Sequence, residues 1–222
     1  FNDRVTAGIY SLSLHEALPF YTYIELSSAC ITALVQFQQQ FPGHRHAEVT
    51  ASIRRGIAFI RKQQRPDGGW YGSWGVCFTY AAWFAVEAMR AVDEPDEDAE
   101  RFERTCTFLL SKQRPDGGWG ESYLSCVRKE YNDRESTVFQ TAWALMALIG
   151  AQCEDVEAVE RGVRFLLSRQ RTDGDWLQEG VAGVFNRSCG ITYTHYKNTF
   201  PLWALGAYAR HYKHRRAALI GE

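Results

Sequence analysis

An all-α fold, in which inner and outer helices alternate and curve into a double-layered α/α toroid, is what this sequence predicts, on three observations. The words "RKQQRPDGGW", "SKQRPDGGW" and "SRQRTDGDW" recur along the chain, so it is built on a repeat. Gln64 and Trp70, Gln113 and Trp119, and Gln170 and Trp176 stand six apart, and the tryptophans are 49 and 57 residues apart, room for two helices per period. The segments before each copy carry apolar residues at helical spacing on a charged background, whereas those after it are apolar nearly all round. The first pattern marks a half-solvated helix and the second a buried one.

Taken in order, Tyr23–Phe41 reads as an inner helix and Ala47–Gln64 as an outer one, with Val49, Ile53, Ile57 and Ile60 as its stripe. After the first turn comes an inner helix over Phe78–Val92 ("FTYAAWFAVEAM"). "AVDEPDEDAE", from Ala91, is acidic and contains proline, which predicts a solvated loop. Asp98–Gln113 is the second outer helix and Thr137–Ala151 ("FQTAWALMALIG") the next inner one. Asp155–Gln170, striped by Val156, Val159, Val163, Leu166 and Leu167, and Thr199–Tyr212 complete the alternation. In the turns Pro66 and Pro115 preset the backbone, Asp67 and Asp116 bond it locally, and the glycines accept positive φ. Each Trp then lies over the end of its outer helix while the Gln amide bonds free carbonyls of a neighbouring repeat, a clamp between repeats. The opening stretch 1–20, "FNDRVTAGIYSLSLHEALPF", has no clear periodicity and stays unplaced.

A chain of 222 residues, 45% hydrophobic, can bury a sizeable core. With net charge −1 and its Lys and Arg dispersed, it carries no footprint for nucleic acid or another polyanion. Six scattered cysteines without a Cys-x-x-Cys pair read as free thiols of a reducing compartment. No apolar run is long enough to span a bilayer, and the first residues read as neither signal nor transit peptide. Phosphate-binding glycine loops, a Gly-x-Ser-x-Gly elbow and a His-Glu-x-x-His motif are all missing. His44 with His46, and His211 with His214, lack a third ligand and read as surface residues, so no metal site is expected. Seven Trp, eleven Tyr and thirteen Phe exceed what a helical core needs. They gather after the turns: Trp74 and Tyr80 beside Cys77 in "YGSWGVCFTYAAW", and Phe185, Tyr193 and Tyr196 beside Cys189 in "GVFNRSCGITYTHYKN". Ordinary packing accounts for such clusters, and so does an aromatic-lined cavity. Such a cavity suits carbocation chemistry, because ring faces stabilise a cation without capturing it.

"GSWGVCFTY", "PDGGWGESYLSC", "TAWALMALI" and "GVFNRSCGITYTHYKNTFPLWALG", together with the Gln–Trp (QW) repeats, resemble the C-terminal part of triterpene cyclases from about Tyr21 to Tyr212. The wording is nearest the oxidosqualene cyclase branch that makes lanosterol or cycloartenol. Squalene–hopene cyclases share the repeats but differ at Cys77 and "VFNRSC". The resemblance implies that 21–222 is the C-terminal part of a catalytic α/α-barrel domain, incomplete as a toroid. It implies acid-initiated cyclisation of 2,3-oxidosqualene, or squalene, with no metal or organic cofactor. Cys77 would then hydrogen-bond the catalytic aspartic acid, with Tyr80 nearby. Trp74, Trp119 and Phe185 would offer ring faces to cations, and Tyr193, Tyr196 and Cys189 would line the same end. The full-length protein would sit on one membrane face through upstream sequence. The family's Asp-Cys-Thr-Ala-Glu and Asp-x-Asp-Asp strings occur nowhere in this chain, and "LSSAC" from Leu26 departs from the usual Glu-Cys-Thr wording. The chain alone is therefore expected to be inactive. Two other readings remain at this point: a protein prenyltransferase β-like subunit, which needs a zinc-binding Asp-x-Cys that is absent here, and a helical-repeat module that binds an isoprenoid without changing it.

Overall fold

A computed structural model describes residues 23–185 and 189–212. The unplaced stretch 1–20 and His214 lie outside the described residues. Eight α-helices and four short strands follow one another: α1 (Ile24–Gln40), α2 (His46–Gln63), α3 (Phe78–Val92), α4 (Pro95–Leu110), β1 (Trp119–Glu121), α5 (Leu124–Arg128), β2 (Asp133–Thr137), α6 (Val138–Gly150), α7 (Val156–Arg169), β3 (Gly183–Phe185), β4 (Cys189–Ile191) and α8 (Tyr196–His211). Every helix expected from the pattern is present, with ends shifted by at most three residues.

The inner layer runs α1, α3, α6, α8, each packed on the next. Outside it α2 lies against α1 and α3, α4 against α3 and α6, and α7 against α6 and α8. This is the alternation of an α/α toroid. Residues 138–149 of α6 are all buried, since neighbours surround that helix, whereas α8 exposes Leu202 and Trp203 on its outlying face. The outer helices bury one face each: Ile53, Ile57 and Ile60 on α2, and on α7 Val159, Val163 and Leu166 with Ala158, Gly162 and Phe165. Each Ile, Val or Leu among them contributes about 1.5–3 kcal/mol.

The acidic stretch after Ala91 is not a loop. Pro95 opens α4, where a proline costs no hydrogen bond and acidic residues favour the helix N-terminus. Asp98 is buried and takes Arg61 of α2 through both carboxylate oxygens, at 2.8 Å each, which ties the first two outer helices together. The strands form two antiparallel hairpins, β1 with β2 and β3 with β4, that periodicity did not reveal.

The clamps repeat atom for atom. The indole Nε1 of Trp70, Trp119 and Trp176 donates to the carbonyl ten residues earlier, that of Ile60, Leu109 and Leu166. Each Gln Nε2 donates to the glycine carbonyl four residues on, at 3.1, 2.9 and 2.9 Å. The first two amides also cross to the next outer helix: Gln64 to Arg101 O at 3.0 Å and Gln113 to Ala158 O at 2.8 Å. Gln170 is exposed and has no such crossing bond among the described residues. The turn glycines differ in the same way. Gly117 and Gly174 both have φ near +85°, but a Cβ on Gly117 would stand 2.7 Å from the Arg161 carbonyl, whereas one on Gly174 would meet nothing. The third turn therefore tolerates its looser wording, Thr172 for proline and Asp175 for glycine, and Asp175 is free to bond Lys197 and Asn198 of α8.

Gln113→Ala removes the side-chain amide that donates to two backbone carbonyls, so urea denaturation should show a loss of about 1–3 kcal/mol. Gln170→Ala should cost under about 0.5 kcal/mol. Equal losses would overturn the view that the clamp acts chiefly between repeats.

Candidate functional site

The loop between α2 and α3 brings the two aromatic stretches together. Val76 N donates to Ala182 O and Val184 N to Trp74 O, both at 3.0 Å, so residues 74–76 lie beside β3 like a third strand. That pairing puts the indole of Trp74 5.5 Å from the ring of Phe185, tilted by 37°. Tyr23 approaches the same indole edge-on at 6.0 Å. Gly75 is required here, because a Cβ would sit 2.4 Å from the Tyr80 ring that packs against its backbone.

Deeper in, α3, α6 and α8 supply one connected set of rings. Tyr80 meets Trp143 at 4.8 Å, Trp143 meets Phe200 at 5.3 Å and Phe200 meets Tyr196 at 4.7 Å, all edge to face. Tyr196 stacks on Tyr193 at 4.5 Å, and Trp83 closes on Phe200 and Trp203. Burial raises the pKa of Tyr80 above the usual phenol range and moves that of Tyr196 in the same direction. Such a wall offers quadrupole faces and neutral hydroxyls, suited to holding a cation.

Three carboxylates, Glu25 and Glu121 buried and Glu179 half-buried, hold the segments that carry these rings. Glu25, in the first turn of α1, accepts the N–H groups of Ser73 and Trp74 on Oε1, both at 2.8 Å. Glu121, on β1, accepts Phe78 N at 2.9 Å and Thr79 N and Thr79 Oγ1 at 3.0 Å, and so caps α3, whose own N-cap Cys77 makes no side-chain cap. Glu179 accepts Val138 N and caps α6 in the same way. Glu121 follows its clamp tryptophan by two residues and Glu179 by three, each returning an acid to the preceding inner helix. Burial raises the pKa of all three, outweighing the hydrogen bonds that lower it.

Of the sequence-derived candidates, Trp74, Tyr80, Phe185, Tyr193 and Tyr196 come together. Trp119 does not: its fully buried indole is enclosed in the clamp of Gln113, its Nε1 bonded to Leu109, so it offers no face to a cavity. Cys77 is also fully buried, and its thiol donates inside the chain to Gly72 O at 3.2 Å, with Cys126 alongside. In the resemblance its partner is an acid that these 222 residues do not contain. Cys189 is exposed on β4. Sequence reasoning missed Trp83, Trp143 and Phe200. A signal existed, since each of three inner helices carries one tryptophan, in "AAWFA", "TAWAL" and "PLWAL". Among the described residues no helix is long and apolar enough to cross a membrane, and no three His, Cys, Asp or Glu side chains are grouped to hold a metal.

The family model for the squalene-hopene cyclase C-terminal domain matches residues 11–210. The lanosterol synthase of Homo sapiens is 48% identical over 202 residues, 89% of this chain and 28% of that protein. The cycloartenol synthase of Dictyostelium discoideum is 50% identical over 194 residues, 86% of this chain and 28% of that protein. The chain thus spans little more than a quarter of the length of these relatives. Among solved structures, the ent-copalyl diphosphate synthase from Streptomyces platensis superposes with a TM-score of 0.66 at 19% identity, over 86% of this chain and 34% of that one, a likeness of fold.

The raised carboxyls set a sign for pH dependence. The folded chain holds their protons above the ordinary value of 4.5 and so binds more protons than the unfolded chain does. The stability they confer is full below about pH 4.5 and is lost as pH rises through the raised pKa. Glu121→Gln keeps an oxygen for Phe78 and Thr79 and has no charge to desolvate. Its stability relative to the parent, from urea midpoints between about pH 4.5 and 8, should therefore grow with pH; a flat difference would place Glu121 in the ordinary carboxylate range.

Proposed function

The chain belongs to the squalene-hopene cyclase C-terminal domain family, and from that premise we propose that it forms part of an oxidosqualene cyclase, converting 2,3-oxidosqualene to a tetracyclic sterol precursor such as lanosterol or cycloartenol. Relatives named lanosterol and cycloartenol synthase, at 48% and 50% identity, support this branch over the squalene one. The observation that carries the reading is the ring pair of Trp74 and Phe185, beside which the Tyr193 ring, stacked on Tyr196, lies against Gly183 of the strand that leads to Phe185.

Polyene cyclisation needs an acid to start it and a surface that lowers each cation without trapping it. The acid in this reading lies outside these 222 residues. Trp74 and Phe185 present ring faces to positive charge, worth about 0.5–2 kcal/mol each in a desolvated site. Tyr80 and Tyr196, whose pKa values burial raises, give the floor of the wall neutral hydroxyls. No residue here is asked to form a bond to substrate. The full-length protein associates with a membrane face through sequence other than these helices, and its substrate is an isoprenoid of low solubility. The prenyltransferase and inert-module readings draw no support from the family match.

In the full-length protein, Phe185→Ala should slow formation of the tetracyclic product about tenfold and raise the share of truncated or rearranged products, read by gas chromatography with oxidosqualene as substrate. An unchanged product profile refutes the role of Phe185. The purified 222-residue chain should turn over neither oxidosqualene nor squalene; turnover would mean that an acid within it starts the reaction.

A further inference from the structure

Trp74 stands on a loop, and a ring face is useful to a cation only where it is held at a fixed place and angle. Two elements fix its peptide groups from opposite sides. The carbonyl of Trp74 accepts Val184 N of β3 at 3.0 Å, and its N–H, with that of Ser73, goes to the single oxygen Oε1 of Glu25 at 2.8 Å. Glu25 is only 3% exposed, and its other oxygen, Oε2, is buried without a hydrogen-bond partner among the described residues. A carboxyl in such a place carries a desolvation cost, which the N–H groups of Ser73 and Trp74 offset by hydrogen bonding. Helix α1, where Glu25 sits, is the inner helix that otherwise buries only Ile24, Ser28 and Ile31.

We infer that Glu25 is a positioning residue: by holding the Ser73–Trp74 backbone it sets the indole of Trp74 against Phe185, and thereby determines which cation the wall stabilises and which product forms. The inference rests on the cyclase reading for its second half only. Loss of the carboxyl oxygen frees two N–H groups, and the loop is then held only from the side of residues 182–184, which lets the indole face shift.

The test uses the full-length protein, labelled with fluorotryptophan, with the Trp74 resonance assigned through Trp74→Phe. Glu25→Leu, similar in size but without an acceptor, should shift or broaden the Trp74 signal while the clamp signals of Trp119 and Trp176 stay in place. With oxidosqualene it should lower kcat about tenfold with KM within about twofold, and give the side products that Trp74→Phe gives. Glu25→Gln keeps an acceptor oxygen and should restore both the signal and the product profile. An unmoved Trp74 signal in Glu25→Leu overturns the positioning claim, as does a Glu25→Gln as defective as Glu25→Leu. A moved signal with wild-type products overturns the specificity claim. If the unsubstituted protein makes no cyclised product, the cyclase reading fails instead, and the fluorine spectra still decide whether Glu25 positions Trp74. If Glu25→Leu does not fold, Glu25→Asp, which draws the oxygen back from the loop, is read in the same spectra against the same outcomes.

Discussion

The indole N–H of each clamp tryptophan donates to a carbonyl ten residues earlier, and the rest of the structure depends on that bond. A helix ends with carbonyls that have no partner within it, and in a double layer of helices those ends are partly shut off from water. Trp70, Trp119 and Trp176 satisfy one such carbonyl each from directly beyond the turn. The turn must therefore close tightly enough to bring the ring back over its own helix. Tight closure is what the backbone bonds from Arg65, Arg114 and Arg171 to residues 69, 118 and 175 provide, with an aspartate in each turn accepting a further N–H.

Once the turn is closed, the direction in which the chain leaves it is settled, and the carboxylates become possible. Glu121 and Glu179 leave the turn close to the N-terminal end of the preceding inner helix, where free N–H groups point outward with a partial positive charge. Neither α3 nor α6 draws its full cap from its own sequence: Cys77 gives α3 no side-chain cap, and Thr137 satisfies only Gln140 N. The acids come from the next repeat. Helices α3 and α6 are thus fixed at their entries by the repeat that follows.

The helices were legible because periodicity is a physical consequence of layering: half-buried helices show a stripe and enclosed ones do not. The prolines and glycines marked the turns for equally local reasons. The glutamates were invisible by the same logic, since an acid looks like surface until the fold shows which N–H groups it faces, 42 to 49 residues away in sequence for Glu25 and Glu121. Asp98 hid in the same way inside a charged run that read as a loop, though Arg61 held it buried. Trp119 misled because one residue type serves two ends. Of the seven tryptophans, three close turns, three line the inner helices, and Trp74 alone rides on a loop. The short hairpins went unseen because three-residue strands carry no measurable alternation.

The chemistry of the wall follows from which groups near it are charged. A carboxylate beside a carbocation would capture it or take a proton from it too early. Glu25 and Glu121, the buried acids at the loop that carries Trp74, spend one oxygen on backbone N–H groups and are pushed by burial toward the neutral form. The same desolvation that makes them costly to bury favours their protonated forms, which carry no charge toward the wall. Structural acids can therefore stand immediately behind an aromatic wall without competing with it, and the fold can use the strongest available caps for its inner helices at the place where positive charge is to be sheltered.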